Sequence, residues 1–381
     1  MIYLDNAATS WPKPDSVPRA MAAFLREWAA NPGRGGHSMS IEAGRKVLAV
    51  REKLATFFGV RESDRVVFTL NATHALNLAI LGYLREGDHV ITSDMEHNAV
   101  SRPLTKLRQE RAVEITIVPG AASGCVDPED IRRALKKNTR LVVLTHACNV
   151  TGTINPIKEV GRLLRELDIA FLVDAAQTAG HIPIDVNEMC IDMLAFPGHK
   201  GLLGPPGTGG LYIRKGLDVA PLMEGGTGTH SEEERQPTAY PERHEAGTVN
   251  SVGIVGLGAG LDFLTEKGLE KISAVETELA ARLIRGLRSI EGVSVHLADS
   301  PRVCTASFNL DGIEPQEVAY ILDQAYSIAV RAGLHCAPWV HAAMGNAGRG
   351  SVRVSPGYFT SLEEIDDFLA ALQEIADERT R

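Results

Sequence analysis

The sequence from residue 169 to residue 200, IAFLVDAAQTAGHIPIDVNEMCIDMLAFPGHK, decides the fold. It opens with an apolar run that ends at Asp174, and a second apolar run, Met193–Phe196, comes shortly before Lys200. Short apolar runs of this kind predict buried strands. Because open α/β sheets bind ligands at the carboxyl ends of their strands, we expect Asp174 and Lys200 to face one site.

Strand and helix patterns alternate outward from this stretch, from about Ser40 to Arg214. The predicted strands are Arg65–Leu70, His89–Ser93, Val113–Val118, Arg140–Thr145, Ile169–Asp174, Met193–Phe196 and Gly210–Ile213. The predicted helices are Ile41–Phe58, with Ser40 as its N-cap, Ala72–Leu84, Asn98–Gln109, Asp130–Lys137 and Ile157–Leu167. The alternation predicts the α/β class, with a mostly parallel sheet covered on both faces.

The pattern changes after a polar, Gly-rich segment from Pro221 to Thr248. A helix is expected after Asn250. The further predicted elements are a long amphipathic helix at Leu269–Ser289, strands at Val293–His296, Thr305–Leu310 and Ile328–Val330, and helices at Pro315–Gln324 and Ser361–Ala376. We expect a large α/β domain over residues 16–255 and a smaller α+β domain over residues 1–15 and 256–381.

Charge and composition exclude several classes of protein. The 381 residues include 39 basic and 48 acidic ones, which gives a net charge of −9. Such a chain has no overall attraction to nucleic acid or anionic lipid. No apolar run approaches the ~20 residues of a membrane helix, and the N-terminus lacks the pattern of a signal peptide. A cytoplasmic protein with no nucleic-acid or membrane partner is expected.

The cysteines point to the same compartment. Cys125, Cys148, Cys190, Cys304 and Cys336 are scattered and odd in number. They form neither a disulfide framework nor the paired spacing of a zinc site, so a reducing environment and no bound metal are expected. One of the five is then free to act as a working thiol.

Asp174 and Lys200 together supply two groups that pyridoxal 5′-phosphate (PLP) chemistry requires. A lysine amine binds the cofactor's aldehyde covalently, and an acid keeps the pyridine nitrogen protonated so that the ring accepts electrons. Each residue also has an ordinary interpretation, as the N-cap of the next helix and as a solvated loop lysine. The pair alone leaves both interpretations open.

Eight segments in a fixed order carry a more specific signal. They are YLDNAAT (3–9), RGGHS (34–38), DMEHN (94–98), NVTGT (149–153), VDAAQ (173–177), GHK (198–200), EAGTVN (245–250) and RAGLHC (331–336). With them the chain resembles, over essentially its whole length, the cysteine desulfurase and selenocysteine lyase branch of the class V aminotransferases. The resemblance implies a PLP-dependent transferase of fold type I, with a seven-stranded sheet in the large domain, and a homodimer.

The resemblance also implies roles around the cofactor ring. Lys200 is the lysine bound to the aldehyde, and Asp174 pairs with the pyridine nitrogen. Gln177 hydrogen-bonds the ring oxygen. His97 stacks on the ring and takes part in catalysis, although a histidine that begins a helix is the ordinary interpretation.

The cofactor phosphate needs its own donors. Ala72 and Thr73 open a helix directly after a strand, so their N–H groups can face an anion. The resemblance adds His199 and, across a dimer interface, Thr248, whose ordinary role is to cap the following helix. Pro197 stands where the family usually carries Ser or Thr, and it has no side-chain donor.

The resemblance implies four residues around the substrate. Arg353 binds the carboxylate bidentately, as the fork of a guanidinium allows. Asn149 lies near the same carboxylate and near the cofactor. Arg331 and His37 complete the predicted pocket, although Arg331 has the alternative role of a surface cation or an ion-pair partner.

Cys336 decides the expected reaction. In the family a loop cysteine takes the sulfur of the PLP-bound substrate, and a thiolate near positive charge suits that step. The 17-residue interval to Arg353 resembles the compact-loop type, and Leu334 stands where close relatives often have His. The alternative is a small buried apolar residue, the usual fate of a free cysteine.

The predicted function is PLP-dependent conversion of L-cysteine to L-alanine. The sulfur passes to Cys336 as a persulfide and then to the thiol of an acceptor protein, as in iron–sulfur cluster assembly or other sulfur mobilisation. The alternatives are a selenocysteine lyase, another class V enzyme acting on a different amino acid, and a sulfur carrier or scaffold without catalysis.

Overall fold

The computed structural model describes residues 1–33, 35–120, 124–229 and 232–379, so that Arg34 of the RGGHS segment lies outside the described residues. The strands are β1 (Ile2–Tyr3), β2 (Val66–Thr69), β3 (His89–Ser93), β4 (Glu114–Val118), β5 (Thr139–Thr145), β6 (Ala170–Asp174), β7 (Met193–Pro197), β8 (Gly209–Ile213), β9 (Val293–Val295), β10 (Ala306–Leu310), β11 (Ile328–Ala329), β12 (Arg331–Gly333) and β13 (Ser351–Val354).

The helices are α1 (Ser16–Glu27), α2 (Ser38–Phe57), α3 (Ala72–Tyr83), α4 (Asn98–Arg111), α5 (Pro128–Ala134), α6 (Ile157–Glu166), α7 (Ser251–Lys267), α8 (Leu269–Ser289), α9 (Pro315–Tyr326), α10 (Pro338–Ala343) and α11 (Leu362–Arg379). In the described part of the chain, every helix is too short or too polar to cross a bilayer.

The main sheet has seven strands in the order β2-β8-β7-β6-β5-β3-β4. Strands β7, β6, β5, β3 and β4 are parallel to their neighbours in this set, and β8 runs antiparallel to both β7 and β2. The predicted α/β class and mostly parallel seven-stranded sheet are confirmed.

Strands β6, β7 and β8 are buried along their whole length because helices cover both faces of the sheet. Along β6, Phe171 and Val173 belong to one apolar core, while Ala170 and Leu172 belong to the core on the opposite face. Side chains alternate between faces along a strand, so each face receives every second residue. Burial of each such side chain contributes about 1.5–3 kcal/mol.

A smaller antiparallel sheet, in the order β12-β13-β10-β9, packs with α8, α9 and α11 around a separate core. Phe308 and Phe368 meet in this core with their ring centroids 6.3 Å apart. The N-terminus joins the same unit, since β1 pairs with β11 and Leu4 is buried in that core.

Helix α7 spans the predicted boundary between the two domains. The predicted break after residue 255 falls inside α7, and Ile254, Leu257 and Leu261 of this helix pack into a core of the large sheet. A helix that buries its apolar face in one core belongs to that domain. We therefore propose that the small domain begins near Gly268, where α7 ends.

One predicted helix start is wrong. Helix α2 begins at Ser38, with His37 as its N-cap, and the Nδ1 atom of His37 accepts a hydrogen bond from the Ser40 N–H. The Ser40 hydroxyl instead donates to the Asn31 carbonyl at 2.7 Å. Because the Ser40 hydroxyl bonds to Asn31, it does not cap the helix, and His37 accepts the first-turn N–H instead.

Candidate active site

The carboxyl ends of neighbouring strands form the floor of a small cavity. Asp174 ends β6 and is paired in register with Thr145, which ends β5. Lys200 follows the end of β7 by three residues. The predicted residues that line the cavity are Ala72, Thr73, His97, Asn149, Asp174, Gln177, His199 and Lys200.

Lys200 carries an amine that makes no hydrogen bond or ion pair with any described residue. Burial, with a smaller effect from the Arg353 charge, lowers the pKa of its amine to about 8, although the nearby Asp174 opposes this. At pH 7 a fraction on the order of one in ten is then neutral, and the neutral amine is the nucleophile that bonds to an aldehyde.

Asp174 is a buried carboxylate, 2% exposed, that accepts a hydrogen bond from the Ala176 N–H at 2.9 Å. Burial raises the pKa of its carboxyl, because the charged form loses hydration, and Lys200 lowers it again. A cationic N–H group in the cavity would stabilise the ionised form.

His97 and Gln177 flank the same cavity. His97 is the N-cap of α4, and its Nδ1 atom accepts from the Ala99 N–H at 3.0 Å. Burial first, and then the positive charge of Lys200, lower the pKa of His97 to about 4, so the ring is neutral near pH 7. The Gln177 Nε2 atom donates to the Ala7 carbonyl at 3.1 Å, which fixes the amide at the cavity wall.

The first turn of α3 forms the end of the cavity that suits an anion. Asn71 caps this helix through a bond from the His74 N–H, and the N–H groups of Ala72 and Thr73 make no hydrogen bond in the described part of the chain. Unpaired N–H groups at a helix start attract anions. The adjacent His199 is held through its Nδ1 atom, 3.1 Å from Thr9 Oγ1.

Arg353 lies 1% exposed between the cavity and the N-terminal segment. Its Nη2 atom is 2.7 Å from Asp5 Oδ1, and its Nη1 atom donates to the Asn149 carbonyl at 3.0 Å. Asp5 lies in the YLDNAAT segment, but its partner is 348 residues away, so no local pattern predicts the ion pair. The guanidinium remains protonated, and the negative charge of the Asp5 carboxylate balances its positive charge in this buried position.

Cys336 is exposed, on the loop between β12 and α10. His335 and Cys336 both have left-handed backbone conformations, with φ of 51° and 59°. The Cys336 carbonyl accepts from the Asn98 N–H at 2.8 Å, and the His335 carbonyl accepts from Asn149 Nδ2 at 2.7 Å. These bonds tie the loop to both sides of the cavity.

Arg331 provides the positive charge at the thiol, since its Nη2 atom lies 3.5 Å from Cys336 Sγ. It stands directly opposite Arg353 in the β12–β13 pair, so the two guanidinium groups belong to one face of the small sheet.

The sequence profile of the family Aminotransferase class-V matches residues 2–368.

This chain belongs to the class-V aminotransferase family.

Its relatives lie in the cysteine desulfurase branch. A protein of Methanothermobacter thermautotrophicus named as a probable cysteine desulfurase is 39% identical, and the match covers 98% of this chain and 94% of the relative. The apo structure of a cysteine desulfurase from Thermococcus onnurineus superposes with a TM-score of 0.92 at 35% identity, over 99% and 95% of the two chains. A cysteine desulfurase from Escherichia coli gives a TM-score of 0.89 at 28% identity, over 99% and 94%.

Five predicted residues do not line the cavity itself. Arg353 and the Cys336 loop are bonded to Asn149 of its wall, and Arg331 contacts Cys336. The other two are His37 and Thr248. His37 is exposed at the start of α2. Thr248 is exposed as well, and its hydroxyl accepts from Asn31 Nδ2 at 3.2 Å. Within one protomer the structure therefore brings neither residue to Lys200, and any role in the site requires a second copy of the chain.

Pro197 lines the cavity at the position where the family usually has a hydroxyl. Thr73 lines the same cavity, and its side chain carries a hydroxyl donor in addition to its backbone N–H. Pro197 and Thr73 are 124 residues apart in sequence, and both line this cavity.

The other cysteines are in different environments. Cys148 and Cys304 are buried, and burial raises the pKa of both thiols, in Cys304 well above the usual range. Cys190 is partly exposed and Cys125 is exposed. In the described residues, no group of three His, Cys, Asp or Glu side chains is arranged to hold a metal ion.

Proposed function

We propose that this protein is a PLP-dependent cysteine desulfurase that converts L-cysteine to L-alanine and takes the sulfur onto Cys336. The observation that carries the proposal is the position of the Cys336 loop. Its backbone is bonded to Asn98 on one side of the cavity and its neighbour His335 to Asn149 on the other, while the thiol is exposed. An exposed thiol on a loop that is bonded to the wall of the cavity holding Asp174 and Lys200 suits transfer of sulfur to an outside acceptor.

The residues of the cavity fit PLP. Asp174 is a buried carboxylate without an ion-pair partner among the described residues, and Lys200 is an amine without one. The unpaired N–H groups of Ala72 and Thr73, with His199 and the Thr73 hydroxyl, would hold a phosphate. When bound, PLP withdraws electrons from the α-carbon of an amino acid attached to it.

The chain's own groups then divide the work at the ring. Lys200 would hold the cofactor until substrate displaces it, and its freed amine would take the α-proton of the substrate. Asp174 would keep the proton on the pyridine nitrogen, Gln177 would bind the ring oxygen, and the neutral His97 ring would cover one face. The substrate carboxylate would lie between Arg353 and Asn149, with Arg331 nearby.

The sulfur step belongs to Cys336. Its thiolate would attack the substrate Sγ, so that an S–S bond forms as the Cβ–Sγ bond breaks and its electron pair stays with carbon. Protonation of that carbon, with return of a proton to the α-carbon, would give alanine. The positive charge of Arg331 at 3.5 Å stabilises the attacking thiolate. A thiol of an acceptor protein would then remove the outer sulfur by exchange.

A homodimer and a reducing cytoplasm complete the proposal. Thr248 and His37 are exposed outside the cavity, and α2 carries the exposed apolar residues Met39, Ile41 and Leu48. Exposed apolar residues of this kind favour burial against a partner subunit. None of the five cysteines, all in the described part of the chain, is in a disulfide, which suits a reducing compartment.

The test is release of alanine and sulfide from L-cysteine with dithiothreitol, comparing wild type with Cys336→Ala and with Cys125→Ala as a matched exposed thiol. We expect all three proteins to be yellow, with loss of both products only in Cys336→Ala, by at least about 10³-fold. Yellow wild-type protein that releases neither product would overturn the cysteine substrate. Selenocysteine and other amino acids would then be assayed, because selenide leaves without help from Cys336.

A further inference from the structure

Glu96 is a buried acid that none of these roles uses. Its side chain is 0% exposed, and it lies in the turn between β3 and α4, directly before His97. We propose that Glu96 is a positioning residue, which fixes this turn over the cavity by hydrogen bonding the ends of two strands. The proposal rests on the proposed function, since it assigns His97 to the cofactor ring.

The contacts of one carboxyl oxygen carry the proposal. Glu96 Oε1 is 2.6 Å from Ser93 Oγ, and it accepts a hydrogen bond from the Thr145 N–H at 3.0 Å. Ser93 is the last residue of β3 and Thr145 the last of β5, which are neighbouring parallel strands. Thr145 in turn is paired with Asp174. One side chain thus links the turn to the strand ends that carry the buried carboxylate.

Both functional regions depend on this turn. His97 follows Glu96 and lines the cavity, and Asn98 follows His97 and donates its N–H to the Cys336 carbonyl at 2.8 Å. Met95 also bonds inward, from its N–H to Ser93 Oγ at 3.2 Å. A shift of the turn would therefore displace the ring-facing imidazole and the anchor of the sulfur-accepting loop together.

Glu96 is placed to position groups, not to exchange protons with substrate. It does not line the cavity, and its Oε2 atom is buried without a hydrogen-bond partner in the described residues. Burial raises the pKa of its carboxyl to about 8, against the opposing effect of the bonds from Ser93 and Thr145. Near pH 7 the side chain is neutral and adds no second negative charge beside Asp174. A neutral amide of the same shape should replace it.

The experiment compares Glu96→Gln, Glu96→Ala and, as a surface control on the next helix, Glu110→Ala, each loaded with PLP. The readouts are the visible circular dichroism of the bound cofactor, the PLP dissociation constant, and kcat and KM for cysteine. We expect Glu96→Gln and Glu110→Ala to resemble wild type. We expect Glu96→Ala to change the visible dichroism and to lower kcat by about 10- to 100-fold with KM changed less than about threefold, since small displacements of positioned groups have effects of that size.

Two results overturn the proposal. One is a folded Glu96→Ala variant with wild-type dichroism and kcat. The other is a Glu96→Gln variant as impaired as Glu96→Ala, since charge and not hydrogen bonding would then be the requirement. If Glu96→Ala does not fold, Ser93→Ala removes one of the same bonds, and unchanged dichroism there overturns the proposal. Failure of the proposed function is seen separately, in wild-type protein that binds PLP but releases no alanine, and the dichroism comparison stays valid in that case.

Discussion

The two functional regions of this protein differ in how they are held. Lys200 and Asp174 sit at the ends of buried strands, where the whole sheet fixes them, and their pKa values respond to burial. Cys336 is an exposed residue of the loop between β12 and α10, held by a backbone bond from Asn98 and by the contact with Arg331. Covalent chemistry on a cofactor needs a dry, preorganised site, whereas delivery of sulfur to another protein needs an accessible thiol. The two regions therefore differ because one serves the cofactor chemistry and the other the transfer of sulfur to an acceptor.

The largest loss of activity is expected from a substitution of Lys200, in the cavity of the large sheet. Lys200→Ala should reduce alanine release by at least about 10⁴-fold, because it removes both the covalent anchor and the base. Absorbance should show that PLP is no longer covalently attached after reduction with borohydride. Lys215→Ala, an exposed lysine whose side chain is 70% accessible, serves as the matched control and should be unchanged. Covalent PLP in Lys200→Ala would show that another lysine is the anchor.

The second effect tests the group that lies between the two regions. Arg353→Lys should raise KM for cysteine by about 10- to 100-fold with a smaller change in kcat, since a lysine cannot bind a carboxylate bidentately and charge-assisted bonds are worth about 1.5–3 kcal/mol. Steady-state kinetics measure the split. Arg349→Lys is the control, because Arg349 bonds the Leu310 carbonyl at 2.9 Å and lies outside the cavity. A fall in kcat at constant KM would contradict a role in binding the carboxylate.

The third effect is a pH dependence of folding stability that is caused by the buried Glu96. The pKa of Glu96 is raised from 4.5 to about 8 in the folded chain, so the folded state keeps a proton that the unfolded state has lost between those values. Stability from this group is complete below pH 4.5 and is lost as pH rises toward 8, with a slope of at most about 1.4 kcal/mol per pH unit. Urea unfolding should show Glu96→Gln gaining stability relative to wild type across this window. A constant difference from pH 5 to pH 9 would argue against a buried, protonated Glu96.

The smallest effect concerns the thiols alone. In native protein near pH 7, a thiol reagent should modify Cys336 and Cys125, reach the partly exposed Cys190 more slowly, and leave Cys148 and Cys304 unmodified until denaturant is added. Burial raises the pKa of the last two thiols, which removes the reactive thiolate as well as access. Mass spectrometry of labelled peptides gives the order. Rapid modification of Cys304 would mean that the small domain opens readily.

The large sheet was more predictable from sequence than the small one. The cavity residues of the large domain were found because Asp174 and Lys200 follow strands and because eight quoted segments occur in order. Strand boundaries were predicted to within one or two residues at β3, β6 and β7. In the small domain, β12 and β13 were not predicted, since three- and four-residue strands such as Arg331–Gly333 have too few residues to show a periodicity.

The sequence by itself determined the fold class, the family, the amine, the buried carboxylate and the candidate thiol, because local periodicity and residue chemistry are written along the chain. Only the tertiary structure decided that Arg353 pairs with Asp5, that Asn149 holds the His335 carbonyl, and that Glu96 links two strand ends. These contacts join residues that are distant in sequence or in different strands. Their geometry depends on strand order and on how the domains close against each other, which no local pattern records.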